Sequence, residues 1–161
     1  MPHTYLVAIG SNMRARGKSP PKIVAAAVAA IARQGWSVEA ISPIIASEPV
    51  GPSQRRYANA GAVITGGLSP CAALSDLQAV EGAFGRVRRG QRWRARPLDL
   101  DIVLWSGGIF SAPDLAIPHP LFRHRSFVLR PAAAIAPDWR DPVSGLTVRQ
   151  LAARLRRPRP V

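Results

Sequence analysis

The sequence contains little cysteine and no long apolar run, and both features exclude whole classes of protein. Its single cysteine, Cys71, allows no internal disulfide and no metal site built from cysteines. The longest uncharged apolar run, residues 23–32, has ten residues, which is roughly half of what crosses a bilayer. The apolar stretch at residues 5–9 is too short for the core of a signal peptide, so the sequence predicts a cytoplasmic protein without a membrane segment.

Acidic residues and lysines are also scarce, and arginine dominates the charge. The chain has 9 Asp and Glu against 22 Lys and Arg, which gives a formal net charge of +13. Only Lys18 and Lys22 are lysines, so the other basic residues are arginines, and ten of them form two clusters: Arg86, Arg88, Arg89, Arg92, Arg94 and Arg96, then Arg154, Arg156, Arg157 and Arg159. Such clusters favour an anionic partner, because arginine can hold two phosphate oxygens at once. A solvated basic surface is the alternative interpretation.

The spacing of apolar residues predicts one mixed domain over residues 1–161. The expected order is strand, helix, strand, strand, helix, strand and two more helices, at residues 4–9, 22–34, 36–47, 57–65, 70–84, 98–105, 127–136 and 147–157. The third element contains Pro43, where a break is expected, and the prolines between residues 113 and 120 predict an irregular region. This order is typical of an α+β fold, a ferredoxin-like split β-α-β sandwich with additional C-terminal helices, with its helices on one face of an antiparallel sheet.

Two aspartates are predicted to project from the same face of one strand. Residues 98–102 read Leu-Asp-Leu-Asp-Ile, and side chains two positions apart on a strand share a face. Asp99 and Asp101 would therefore repel each other unless positive charge lies between them. Mg²⁺ commonly binds one or two carboxylates together with substrate phosphates. An ion-pair network with Arg92 and Arg96 is the alternative interpretation of the same residues.

The sequence also lacks both common glycine-rich phosphate motifs, GxxxxGK[ST] and GxGxxG. A bound phosphate would therefore have to be held by metal ions and side chains. The arginine-rich segment 86–96 directly precedes the aspartate strand. Phosphoryl transfer needs metal ions that bridge phosphate oxygens and cations that neutralise developing charge. The aspartates of the strand would bind the metal ions, and the arginines of this segment would be the cations.

The motifs along the chain, taken in order, resemble one known family. The most specific blocks are residues 92–102, which contain RPLDLDI, and residues 117–129, which contain IPHP and RSFVL. Further matches occur at residues 8–12, 48–52, 57–60, 81, 85–88 and 135–137. The chain thereby resembles the 6-hydroxymethyl-7,8-dihydropterin pyrophosphokinase (HPPK) family of folate biosynthesis over nearly its whole length. The resemblance implies a single pyrophosphokinase-like domain that transfers pyrophosphate from ATP to the pterin hydroxymethyl group and releases AMP.

The resemblance also implies a role for individual residues. Asp99 and Asp101 would hold two Mg²⁺ ions, and Arg86 and Arg96 would complete the catalytic set by gripping the triphosphate. ATP would be bound by Arg88, Arg92, Ile102, His119 and Arg125. The pterin would be bound by Ser47, Pro49, Val50, Tyr57, Asn59, Trp93 and Phe127, with the Asn59 amide on the pterin edge and the Phe127 ring on its face.

Four positions depart from the family pattern, and two alternative interpretations stay open. Arg94-Ala95 replaces a common Gly-Pro pair, Pro120 replaces a common aromatic residue, and Asp114 replaces a common arginine. An inactive homologue is therefore one alternative. A basic RNA-binding module is the other, although the sequence lacks the run of aromatic residues that such a module displays. The expected partners are the substrates ATP and a reduced pterin. The protein is expected to be a monomer, without a membrane or a specific nucleic acid as partner.

Overall fold

An antiparallel sheet of five strands forms the centre of the structure, a computed structural model that describes residues 2–15, 17–47, 57–85 and 97–156. The strands are β1 (His3–Ser11), β2 (Ser37–Ile41), β3 (Ile45–Ser47), β4 (Tyr57–Gly66) and β5 (Asp99–Trp105). They lie in the order β2-β4-β1-β5, and β3 pairs with β4 beyond the end of β2. The break expected at Pro43 is therefore confirmed, since β2 ends before it and β3 begins after it.

Four helices and a small hairpin complete the described part of the chain. The helices are α1 (Pro20–Arg33), α2 (Pro70–Ala83), α3 (Ser126–Ile135) and α4 (Val148–Arg156), with a 3₁₀ helix at Phe122–His124. Proline occupies the start of α1 and of α2, where its missing N–H costs no helical hydrogen bond. Gly35 and Gly85 follow the ends of these helices with φ angles of 106° and 89°, a conformation that favours glycine.

The sheet is covered on both faces, so the prediction that the helices lie on one face was wrong for α3 and α4. Strands β1, β4 and β5 pack against α1 and α2 through one cluster of buried residues that includes Tyr5, Ile64 and Leu100. A second cluster joins Leu6 and Leu104 to α3, α4 and the 3₁₀ helix. The reason lies in the strands, because β1 and β5 carry large apolar residues on both faces and each face must be covered.

Two smaller expectations also need correction. The proline-rich region after residue 109 contains a hairpin, β6 (Phe110–Ala112) with β7 (Leu115–Ile117), because Pro113 forms its turn. The spacing of apolar residues in the last helix also predicts that Val148, Leu151 and Leu155 face inward, but Leu155 is 37% exposed and only Val148 and Leu151 are buried. Within the described ranges, no helix combines the length and the apolar character needed to cross a bilayer.

Candidate active site

Three neighbouring strands bring the predicted polar residues to one end of the sheet. In the register, Gly10 of β1 lies opposite Asn59 of β4 on one side and opposite Asp99 of β5 on the other. Ala8 lies opposite Asp101 of β5 in the same way. Residues directly opposite each other project from the same face, so both aspartates and Asn59 share a face on which the middle strand has only small side chains.

The N-terminal end of α3 closes this region into a pocket. Its volume is about 290 Å³, and it is lined by Ala8, Ile9, Gly10, Asn59, Asp99, Asp101, Arg125, Phe127 and Val128. Strands β1, β4 and β5 form the floor of the pocket, and the start of α3 forms one wall. The pocket therefore combines two carboxylates, one carboxamide, one guanidinium and one aromatic ring.

Helix α2 fixes the aspartate strand at the point between the two carboxylates. Glu81 of α2 is 2% exposed, and its Oε2 accepts a hydrogen bond from the amide of Leu100 at 2.8 Å. Leu100 lies between Asp99 and Asp101 and is buried on the opposite face of β5. The spacing of the two carboxylates is therefore set by backbone that is hydrogen-bonded on both edges.

The carboxylate pair suits a hard divalent cation. Asp99 and Asp101 supply oxygen ligands, which Mg²⁺ prefers. No cluster of three or more histidine, cysteine or acidic residues that could hold a metal occurs among the described residues. Mg²⁺ in phosphoryl-transfer sites commonly binds one or two carboxylates and takes further ligands from water and phosphate oxygens.

His119 is held near the aspartates in a defined orientation. Its amide donates to the carbonyl of Val103 in β5 at 3.0 Å, and its Nδ1 accepts from the amide of Leu121 at 3.2 Å. Burial and the positive charge of Arg125 lower the pKa of His119, and Asp99 partly opposes them. The neutral imidazole thus carries its proton on Nε2, which can donate a hydrogen bond.

Arg125 and Phe127 form the helical wall of the pocket. Arg125 is the residue before α3, and the carbonyl of Arg125 accepts from the amides of Val128 and Leu129 at 3.0 Å each. Its guanidinium carbon lies 5.6 Å from the ring centre of Phe127. The Phe127 side chain is 39% exposed, so part of its ring is accessible for stacking and it is not a core side chain.

The structure brings together only some of the predicted site residues. Five of them line the pocket: Asn59, Asp99, Asp101, Arg125 and Phe127. The charges of Arg125 and Asp99 also act on the pKa of His119. Tyr57 lies two residues before Asn59 on the same face of β4, and Ser47 pairs with it from β3. The side chain of Ile102 is 3% exposed in the core on the other face of the sheet, so it does not reach the pocket.

The remaining predicted residues lie outside the described residues: Pro49, Val50, Arg86, Arg88, Arg92, Trp93 and Arg96. Of the departures from the family pattern, Asp114 lies exposed in the β6–β7 turn and Pro120 is exposed after His119. The sequence interpretation assigned no role to Ala8, Gly10 or Val128, although all three line the pocket. The match at residues 8–12 marked this strand end as part of the family pattern.

Comparison with known proteins identifies a family over most of the chain. Residues 6–137 match the profile described as 7,8-dihydro-6-hydroxymethylpterin-pyrophosphokinase (HPPK). Among similar curated proteins are 2-amino-4-hydroxy-6-hydroxymethyldihydropteridine pyrophosphokinases of Synechocystis and Pseudomonas aeruginosa, which are 43% and 41% identical over 117 and 138 residues. The matched regions cover 73% and 84% of this chain, and 60% and 82% of those proteins. The enzyme of the same name from Methylorubrum extorquens is 35% identical over 96% of this chain and 94% of its own length.

Similar solved structures agree on the fold. A crystal structure of an HPPK-DHPS in complex with substrates matches with a TM-score of 0.71 and 11% sequence identity, over 94% of this chain and 45% of that one. A Plasmodium falciparum HPPK-DHPS matches with a TM-score of 0.69 and 12% identity, over 96% of this chain and 45% of that one. The chain thus corresponds to less than half of these longer proteins. With the profile match and the curated relatives, these findings show that the chain belongs to the 7,8-dihydro-6-hydroxymethylpterin-pyrophosphokinase family.

Proposed function

We propose that the pocket between β1, β4, β5 and α3 is where ATP and a reduced pterin meet for pyrophosphate transfer. The chain is a pyrophosphokinase of folate synthesis, with ATP as co-substrate and hydroxymethyldihydropterin as acceptor. One observation carries the location. The paired carboxylates of Asp99 and Asp101 share a pocket with the exposed ring of Phe127 and the amide of Asn59. A site for metal and phosphate and a surface for a flat heterocycle would thereby be adjacent.

The reaction moves the β and γ phosphates of ATP as one group. The pterin hydroxyl oxygen bonds to the β phosphorus, the bond from that phosphorus to the α-phosphate oxygen breaks, and AMP leaves. The hydroxyl proton must be released as its oxygen bonds to phosphorus. This chemistry needs little more from the protein than alignment of the two substrates and compensation of negative charge.

Asp99 and Asp101 would hold the metal, as two Mg²⁺ ions in the proposed complex. When bound, such ions neutralise phosphate charge and orient the attacking and leaving oxygens in line. The two side chains themselves fix where this charge lies, because β5 is held by β1 on one edge and by Glu81 on the other.

The pterin would lie against α3 and β4. The Phe127 ring offers a face for stacking, and the Asn59 side chain offers a donor and an acceptor in one plane, which suits the edge of a pterin. Asn59 is 5% exposed, so its surroundings in the sheet restrict the movement of its amide. Tyr57 and the segment from Ser47 to Val50 would extend this surface, and Trp93 would close over it.

The triphosphate would lie on the other side of the aspartates. Arg125 supplies a cation at the pocket wall, and the Nε2 proton of His119 supplies a neutral hydrogen-bond donor. Arg86, Arg88, Arg92 and Arg96 would add charge from the segment before β5. Ile102 could contribute only through its backbone, since its side chain is in the core.

Further properties of the molecule are proposed with the function. The strand order β2-β4-β1-β5, with all pairs antiparallel, supports a ferredoxin-like split β-α-β classification. We propose that residues 1–161 act as a single domain, as a monomer in the cytoplasm, without a specific nucleic-acid partner.

Calorimetry with a non-hydrolysable ATP analogue tests the proposed site. We expect binding that depends on Mg²⁺ and is lost in an Asp99→Ala, Asp101→Ala double variant that still folds. Equal affinity with and without Mg²⁺, or unchanged affinity in the variant, would refute the metal role. Sub-micromolar, sequence-selective RNA binding at physiological salt, together with no analogue binding, would favour the RNA-binding alternative.

A further inference from the structure

An ion pair outside the pocket holds the segment that carries Arg125. Arg123 lies in the 3₁₀ helix, two residues before Arg125. Its Nη2 donates to Oδ1 of Asp141 at 2.8 Å, and its Nε donates to Oδ2 of the same carboxylate. Two parallel hydrogen bonds fix a guanidinium in orientation as well as in position.

Asp141 is built into its own loop as a fully buried anchor. It is 0% exposed, and it also accepts hydrogen bonds from the Ser144 hydroxyl at 2.7 Å and the Val143 amide at 3.0 Å. Its backbone closes the same loop, since its amide donates to the carbonyl of Leu146 at 2.8 Å. A carboxylate that accepts this many hydrogen bonds is held rigidly, and it restricts the Arg123 guanidinium in turn.

The pair meets the pocket through the backbone of the 3₁₀ helix. Phe122 is buried beneath it, and the Arg123 guanidinium carbon lies 4.8 Å from the Phe122 ring centre. The amide of Arg125 then donates to the carbonyl of Phe122 at 3.3 Å. Movement of the 3₁₀ helix would therefore move Arg125 with it.

The pterin side of the pocket has separate anchors. Phe127 lies in the first turn of α3, where the next two residues, Val128 and Leu129, are buried in the core. Asn59 lies on β4, between β1 and β3. Loss of the ion pair should leave these two residues in place.

We propose that Arg123 and Asp141 are a positioning pair that aims Arg125 at the triphosphate of MgATP. The inference rests on the proposed function and extends it, since neither residue lines the pocket. A purely structural ion pair would lower stability and affect both substrates alike. A positioning pair affects the ATP side selectively.

Two variants separate these roles. Asp141→Asn removes the charge but keeps one acceptor oxygen, and Arg123→Lys keeps the charge but loses the paired geometry. The matched control is Asp138→Asn, which removes the exposed partner of Arg149, 3.4 Å away, from the same C-terminal region. Binding of a Mg²⁺-loaded non-hydrolysable ATP analogue and of 6-hydroxymethylpterin would be measured separately by calorimetry, beside thermal unfolding.

We expect both variants to weaken binding of the ATP analogue by roughly tenfold, a typical cost of removing a residue that orients a ligand-binding group. Pterin affinity should stay within about twofold, and the control should match the unaltered chain in both. KM for ATP should rise with little change in kcat, because Arg125 is expected to bind ATP before the reaction as well as during it.

Three results would overturn the positioning role. These are unchanged affinity for the analogue, a parallel loss of both ligands, and a loss that Asp138→Asn reproduces. If the single variants do not fold, the combined Arg123→Met, Asp141→Leu replacement, in which apolar contact substitutes for the buried pair, carries the same expectation. Failure of the unaltered chain to bind the MgATP analogue at all would instead overturn the proposed function, and the positioning role with it.

Discussion

At the scale of single residues, the two aspartates carry the largest expected effect. Replacing Asp99 or Asp101 by Ala should lower kcat by about 10³-fold or more, because metal-mediated charge stabilisation contributes several kcal/mol. Both side chains lie at the pocket rather than in the core, so the fold should persist. AMP formation and circular dichroism would be measured together.

Asp114→Ala is the matched control for these variants, since it removes an exposed carboxylate from the β6–β7 turn. It should retain the kcat of the unaltered chain. Near-normal turnover in either pocket variant would refute the metal role. Unfolding of both pocket variants would favour the ion-pair interpretation of the aspartates.

Gly10 is the second residue with a sharp expectation. A Cβ at this position would lie 3.1 Å from Oδ1 of Asn59, so Gly10→Ala must displace the amide or narrow the floor. We expect roughly tenfold weaker pterin binding, about 1.4 kcal/mol, which lies within the range of about 1–3 kcal/mol that is typical of overpacking. Gly67→Ala is the control, because a Cβ there meets nothing within 4 Å. Equal pterin affinity in the two variants would contradict this account of the floor.

At the scale of elements, the sequence predicted strands and helices better than it predicted their layers. Alternation in β4 and helical spacing in α1 and α2 depend on local neighbours, so these elements were confirmed with small shifts at their ends. The second helical layer was missed because a strand with apolar residues on both faces reads much like one with a single buried face.

The site was predictable to a similar degree. Asp99 and Asp101 share a face because they are two positions apart on one strand, which is a local property of the sequence. Gly10 and Glu81 gained their roles only from the register of β1 and the position of α2, which are long-range properties. Family resemblance, rather than spacing, located Asn59 and Phe127.

The loop that holds Asp141 should make stability depend on acid pH. Burial raises the pKa of Asp141, but the hydrogen bonds from Arg123, Ser144 and Val143 outweigh it and bring the pKa to about 2. Since this lies below the value of an unfolded aspartate, the carboxylate stabilises the fold above about pH 4 and loses this contribution as pH falls towards 2.

Urea unfolding of the unaltered chain and of Asp141→Asn between pH 7 and pH 2 would measure this contribution. The difference in unfolding free energy between the two should shrink by up to about 2 kcal/mol as pH falls from 4 to 2. The Asp138→Asn control should show no such change. A difference that stays constant across this range would mean that Asp141 is not held as a charged anchor.

At the scale of the whole molecule, the question is which arginines of the net positive charge bind ATP. Arg125 at the pocket would bind anionic ATP, whereas Arg154 and Arg156 near the end of α4 are exposed to solvent. Truncation after Leu155 removes Arg156, Arg157 and Arg159 and should leave kcat/KM for ATP within about twofold, because the proposed mechanism gives these residues no contact with ATP and solvated charge is largely screened at physiological salt. A loss beyond tenfold in steady-state assays would assign the tail to the active site.

The central claim concerns which bond of ATP is broken and where. Phosphorus NMR of a reaction with ATP, Mg²⁺ and 6-hydroxymethyl-7,8-dihydropterin distinguishes transfer of one phosphate from transfer of two. The account predicts one AMP and one pterin diphosphate for each ATP consumed, with no AMP when the pterin is omitted and none from Asp101→Ala. Formation of ADP, AMP release that does not require the pterin, or full activity in Asp101→Ala would contradict it.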